Sequence, residues 1–82
     1  MPKSRNMRSK SEDKMVTPLG KRLYELRYAA NIPQREIAAY LGISRAAYSY
    51  YELGTIEPSL MVLKRISDFH HISLKELLDN ID

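Results

Sequence analysis

The sequence predicts an all-α fold, a compact domain of five short helices preceded by a disordered N-terminal arm. Apolar residues recur at spacings of three and four along residues 18–82, the signature of helices with one buried face. The periodic stretches are punctuated by helix starters and stoppers, among them Pro18, Pro33, Gly42, Ser44, Gly54, Pro58 and Ser73. Finally, a chain of 82 residues buries only about 60 % of the surface it exposes when unfolded, so its core must be compact and helical rather than extensive. The expected helices span about 18–30, 33–41, 44–52, 59–70 and 73–79.

Residues 1–17 are rich in Ser, Lys and Arg with no helical or strand period, and nothing in them offsets the entropy of ordering. The net charge of +3 resides there: Lys3, Arg5, Arg8, Lys10 and Lys14 face only Glu12 and Asp13, whereas residues 18–82 balance their acidic and basic side chains. Such a basic arm can track phosphates through Lys3, Arg5, Arg8 and Lys10 or lie in a minor groove, and it can equally be a solvated leader.

Thr17-Pro18 opens the first helix as cap and first-turn residue, and Leu19, Leu23, Leu26 and Ala30 form its stripe. Arg27 lies inside that stripe, where a charge is tolerable only if it reaches solvent or meets a carboxylate. Glu52 is the candidate partner. In the second helix Pro33 suits the first turn, Ile37 and Leu41 share a face with small Ala38, and Gly42 supplies the left-handed residue that ends it. Ile43 can staple inward and Ser44 can cap the third helix. Laid out at about 100° per residue, that helix divides into an arc of Arg45, Ala46, Ser49 and Tyr50 and an opposite arc of Ala47, Tyr48, Tyr51 and Glu52. One face packs and the other is free to meet a ligand.

Gly54 stops the third helix, Pro58-Ser59 starts the fourth, and Leu60, Leu63, Ile66 and Phe69 are expected to point inward from it. Ile72, Leu74, Leu77 and Leu78 serve the fifth, which Ser73 and Glu76 open with a capping box. His70 and His71 project about 100° apart on a helix and have no third ligand nearby, so no metal site is expected. His70 is expected to be a half-buried packing residue and His71 to take a positive φ.

Gln34 at the start of the second helix, Gly42-Ile43-Ser44 at the turn, Tyr51-Glu52-Leu53-Gly54 after the third helix and Pro58-Ser59-Leu60 opening the fourth resemble the Cro and phage-repressor-like (XRE) family over about residues 18–80. The resemblance implies a lambda-repressor-like fold and a sequence-specific DNA-binding transcriptional regulator, most often a repressor, that enters the major groove with helix 44–52. It also implies the Arg27–Glu52 pair as the link between the first and third helices. Gln34 would bond a phosphate, Arg45 would read a guanine edge and Ala46 would touch a thymine methyl. Ser49 and Tyr50 would make adjustable polar contacts, and Ser44 lies at the head of the same helix. Where the family commonly has Lys or Arg after the glycine this chain has Thr55 and Ile56, leaving the Thr55 hydroxyl and loop amides as the donors to phosphate.

No apolar run approaches the roughly 18 residues of a membrane span, and no signal-peptide core follows the basic N-terminus, so a cytoplasmic location is expected. The chain has no cysteine, no glycine-rich phosphate loop and no apolar pair of carboxylates; it is not expected to be an enzyme or to need a cofactor. One such domain covers a half-site, so the expected partner is a two-fold-related double-stranded operator bound by a homodimer. Leu74, Leu78 and Ile81 could form the dimer surface or could simply cover the monomer's own core. A second class of function stays open, a protein-interaction module such as an antitoxin or adaptor, with Tyr24, Tyr28, Tyr40 and Tyr50 at the surface.

Overall fold

The computed structural model describes residues 17–79 and 81, so the expected arm and its cations Lys3, Arg5, Arg8 and Lys10 lie outside the described residues. The architecture is all-α: α1 Pro18–Ala29, α2 Gln34–Leu41, α3 Arg45–Leu53, α4 Leu60–Phe69 and α5 Leu74–Leu77. Four of the helices begin with a hydroxyl cap. Thr17, Ser44, Ser59 and Ser73 accept from the amides of Gly20, Ala47, Val62 and Glu76 at 3.0–3.2 Å, and Glu76 returns the bond to the Ser73 amide at 3.0 Å. Pro33 is the exception: it is extended, with ψ 154°, and stands just outside α2 rather than in its first turn, offering no side-chain bond. The α1–α2, α2–α3, α3–α4 and α4–α5 connections each contain a left-handed residue, namely Asn31 (φ 61°), Gly42 (φ 76°), Gly54 (φ 81°) and His71 (φ 59°).

Leu23, Ile37, Ala38, Leu41, Tyr48, Ile66 and Leu77 form the buried core, with Leu19, Leu26, Ile43, Tyr51, Val62, Leu63, Phe69, Ile72 and Leu74 packed around it. Leu60 departs from the expected α4 stripe, for it is 68 % exposed. The reason is angular. A strict spacing of three falls short of a full turn by about 60° per step, so Leu60 and Phe69 stand on opposite sides of the helix. The inward face is Val62, Leu63, Ile66 and Phe69, joined by buried Ser67, whose hydroxyl donates to the Lys64 carbonyl at 2.7 Å. Ala30 also leaves its stripe, because α1 has ended and Ala30 is the exposed C-cap. The helical residues of α5 end at Leu77, so Leu78 faces solvent.

Two arginines tie helix ends to their neighbours. Arg22 of α1 donates to the carbonyls of Glu76 (2.8 Å) and Leu77 (3.2 Å), and Arg65 of α4 donates to those of Tyr40 (2.8 Å) and Leu41 (3.2 Å) while lying over the Tyr40 ring. Each places a cation on the carbonyls of a last helical turn, at the negative end of the dipole. Gly20 has a different task. It is buried, and a Cβ there would run into the carbonyl oxygen of Glu52, so its missing side chain is what lets α1 lie directly on the backbone of α3.

His70 is half-buried at the end of α4, edge-on to Phe69, with Nε2 enclosed and without a partner among the described residues. Burial lowers its pKa; Glu52 opposes the shift and His71 adds to it. The unfolded chain therefore takes up a proton that the folded chain resists, so the stabilisation is complete above the ordinary histidine value of about 6.5 and declines as pH falls from there toward the lowered folded value. Urea midpoints measured between about pH 5 and 7 should fall with acidity, and His70→Leu should flatten that dependence. An unchanged slope would mean that His70 titrates as if exposed.

Candidate nucleic-acid interface

Helix α3 is anchored by one face. Tyr48 is fully buried, its ring meets Tyr51 edge-on at 6.1 Å, and Glu52 is only 7 % exposed. Arg27 Nε donates to Glu52 Oε2 at 2.7 Å and its Nη2 to Oε1 at 3.1 Å, a two-pronged pairing of a planar fork with a carboxylate. The remaining edge of the guanidinium is used as well: Nη1 donates to the Ile32 carbonyl at 2.9 Å, and the group lies 5.4 Å from the centre of the Tyr24 ring. The bond to Glu52 raises the pKa of Arg27, against the opposing effect of burial. Burial, reinforced by the nearby carboxylate, holds the Tyr48 phenol well above its ordinary range, so it stays neutral.

The pair extends outward. Gln34 Nε2 donates to Glu52 Oε1 at 3.0 Å, and Arg45 Nη1 donates to Gln34 Oε1 at 3.1 Å. An unbroken chain of side chains therefore runs from α1 through the interior to the first residue of α3, Arg27 to Glu52 to Gln34 to Arg45. Gln34 is half-buried at the head of α2 and Arg45 is exposed. Nothing in the spacing of Gln34 and Glu52, 18 residues apart, predicts this contact; only the crossing of α2 and α3 creates it.

The other sequence-selected residues fall as follows. Ala46 is exposed, Ser49 half-buried and Tyr50 44 % exposed. The Ser49 hydroxyl donates to the Ala46 carbonyl at 2.9 Å, which leaves its oxygen lone pairs as acceptors. Ser44 uses a lone pair to cap Ala47, leaving its proton available. The α3–α4 loop differs from the expectation. The amides of Gly54, Thr55 and Ile56 are spent on the Tyr50 and Tyr51 carbonyls, so they are not open donors; a left-handed helix end folds them back onto α3. Thr55 remains exposed, with its hydroxyl 3.4 Å from the Tyr50 carbonyl, a long contact that an external acceptor could displace. By contrast, the head of α2 has no side-chain cap: the Pro33 carbonyl accepts from the Glu36 amide at 3.0 Å, and the Gln34 and Arg35 amides have no side-chain acceptor among the described residues at the positive end of a helix dipole.

Two short helices across a glycine turn, the second anchored on one face and presenting Arg45, Ala46, Ser49 and Tyr50 on the other, define the helix-turn-helix class of DNA-binding transcriptional regulators. Residues 23–77 match the helix-turn-helix family, and the chain belongs to it, as a domain of the Cro/XRE-like type. It is 37 % identical over 59 residues to the SPbeta prophage-derived HTH-type transcriptional regulator YonR of Bacillus subtilis, a match covering 72 % of this chain and 55 % of that protein. It is 39 % identical over 57 residues to the HTH-type transcriptional activator BcrR of Enterococcus faecalis, covering 70 % of this chain and 28 % of the activator. The chain thus spans about half the length of the first relative and less of the second. Among solved structures it is similar to the restriction-modification controller protein C.AhdI of Aeromonas hydrophila, with TM-score 0.67 and 30 % identity over 72 % of this chain and 86 % of the controller. Both YonR and BcrR carry names of HTH-type transcriptional regulators. Among the described residues no group of three His, Cys, Asp or Glu side chains could hold a metal ion, and no helix is long and apolar enough to cross a membrane.

The Arg27–Glu52 pair is accessible to a double-mutant cycle. Breaking a desolvated pair from one side typically costs about 3–5 kcal/mol, whereas an exposed pair contributes about 0–1 kcal/mol. Urea unfolding of Arg27→Met, Glu52→Gln and the combined variant should give a coupling above about 1 kcal/mol. Additive single effects would show that the bonds between the two side chains contribute nothing to stability.

Proposed function

We propose that this chain is a sequence-specific double-stranded-DNA-binding regulator that lays α3 in the major groove and, by occupying a promoter, represses transcription in the cytoplasm. The observation that supports it most directly is the division of α3: Tyr48 and Glu52 lock one face, while Arg45, Ala46 and Tyr50 are exposed and Ser49 half-buried on the other. In this reading Arg45 forks onto a guanine edge, Ala46 meets a thymine methyl, and Ser49 and Tyr50 contact neighbouring bases or sugars. Gln34, the α2 amides, Ser44 and Thr55 meet phosphates, and the arm adds charge through Lys3, Arg5, Arg8 and Lys10. Repression requires nothing beyond occupancy, which a domain of this size can supply.

Selection from a random DNA pool tests the reading. Arg45→Ala should weaken the best site by about 1–3 kcal/mol and relax preference at one base pair. An unchanged consensus and affinity would remove α3 from the groove. The stacked pair Tyr24–Tyr28, with rings 5.6 Å apart and Tyr28 70 % exposed, favours the other reading, a protein-binding module such as an antitoxin or adaptor. Salt separates them. DNA binding should fall steeply as salt rises, with a slope that flattens when residues 1–14 are deleted, and an aromatic protein contact should not.

A single α3 covers half of a two-fold site, so the active species proposed is a homodimer spanning half-sites about 34 Å apart. The α5 surface suits this poorly: Leu74 packs on the core and Ile81 is half-buried, leaving only Leu78. Exposed apolar side chains gather instead between Leu53 and Met61, where Leu53, Ile56, Leu60 and Met61 are 40 %, 50 %, 68 % and 70 % exposed directly after the reading helix. Analytical ultracentrifugation should find a dimer that Leu60→Lys with Met61→Lys dissociates and Leu78→Lys does not. The reverse pattern would return the contact to α5.

A further inference from the structure

We propose that buried Glu52 sets the base preference of Arg45 by fixing which way round the Gln34 amide stands between them. This rests on the reading above that Arg45 contacts a base. A carboxylate only accepts hydrogen bonds and a guanidinium only donates them. The amide that bridges the two therefore has one workable orientation, Nε2 toward Glu52 at 3.0 Å and Oε1 toward Arg45 at 3.1 Å. Turned over, it would set oxygen against oxygen at Glu52 and N–H against N–H at Arg45. Glu52 itself cannot swing away, because Arg27 holds Oε2 at 2.7 Å and shares Oε1 at 3.1 Å in a site only 7 % exposed.

The consequence falls on Arg45. Its side chain is exposed and, untethered, would sample many rotamers; accepting one of its N–H groups at Gln34 Oε1 holds the fork at the head of α2 with its other donors free. A fork held in place loses less conformational freedom when it meets a guanine edge, and a bidentate contact tolerates little misalignment. The second Nε2 proton of Gln34 is used by neither partner and remains for a phosphate. Gln34 and Glu52 are thus positioning residues: Gln34 acts on affinity through phosphate and on preference through Arg45, and Glu52 acts from the interior, on the placement of α3 through Arg27 and on preference through Gln34.

The test uses the full chain and the base pair whose preference Arg45→Ala abolishes in selection from the random pool. Affinities for the best site and for the three substitutions at that base pair are compared in wild type, Gln34→Ala and Glu52→Gln, with circular dichroism and urea unfolding to establish that each variant is folded. Gln34→Ala should lower affinity for every sequence and, in addition, lower discrimination at the Arg45 base pair by about fivefold or more while leaving other positions unchanged. Folded Glu52→Gln, in which the amide is free to turn over, should lose discrimination at that same base pair. A folded Glu52→Gln that keeps full discrimination there overturns the role of Glu52; should it fail to fold, Glu52→Asp, whose shorter side chain draws the carboxylate back from Gln34, takes its place with the same two outcomes. Uniform weakening by Gln34→Ala, with the Arg45 preference intact, overturns the proposal while leaving the reading of Arg45 in place. If Arg45→Ala itself changes no preference, that reading falls and the proposal falls with it.

Discussion

The guanidinium of Arg27 and the carboxylate of Glu52 meet where α1, α2 and α3 converge, and the placement of α3 depends on that meeting. Taking two charges out of water is costly, and their attraction offsets the cost only when the geometry is good and the remaining donors and acceptors are used. Here they are: the fork takes both carboxylate oxygens, its last edge takes the Ile32 carbonyl, and the carboxylate accepts once more from Gln34. The pair therefore binds α1 to α3, holds the α1–α2 connection and reaches the surface at Arg45. Tyr48 completes the arrangement as a neutral phenol, fully buried on the same face of α3.

Backbone proximity is the second constraint. Gly20 allows α1 to approach α3 closely enough for Arg27 to reach Glu52, and the left-handed residues Gly42 and Gly54 fold the chain sharply at both ends of α3. The sharp turns also decide which amides are available. Those after α3 are drawn back onto Tyr50 and Tyr51, while at the start of α2 Pro33 offers no capping side chain and its carbonyl takes only the Glu36 amide.

The surface follows from what the core leaves over. Alternate faces of α3 carry buried Tyr48 and exposed Tyr50, so residues of one type are spent on packing and left at the surface within a single helix. Apolar Leu53, Ile56, Leu60 and Met61 are left outside, although Pro58 between them is buried and Val62 and Leu63 beside them pack on the core. Membership of the helix-turn-helix family accounts for α2, the turn and α3, whereas the exposed tyrosines Tyr24 and Tyr28 belong to a part of α1 that the turn motif does not constrain.

Helical periodicity, hydroxyl caps and glycine stops depend on near neighbours in the chain, and for that reason the all-α fold, the five helices, the two faces of α3 and the left-handed His71 were all legible in the sequence. Where local spacing was extended over three turns it misled, since a repeat of three drifts around the helix and carries Leu60 away from the core that holds Phe69. The inward position of Glu52 was also legible from its arc, as was the need of Arg27 for a partner. What only the tertiary structure decided is where separate elements come within hydrogen-bond reach: Gly20 against the Glu52 carbonyl, the loop amides turned onto Tyr50, and Gln34 lodged between Glu52 and Arg45. Such contacts are set by crossing angles and close approach of whole helices, quantities to which many distant residues contribute and which no short stretch of sequence encodes by itself.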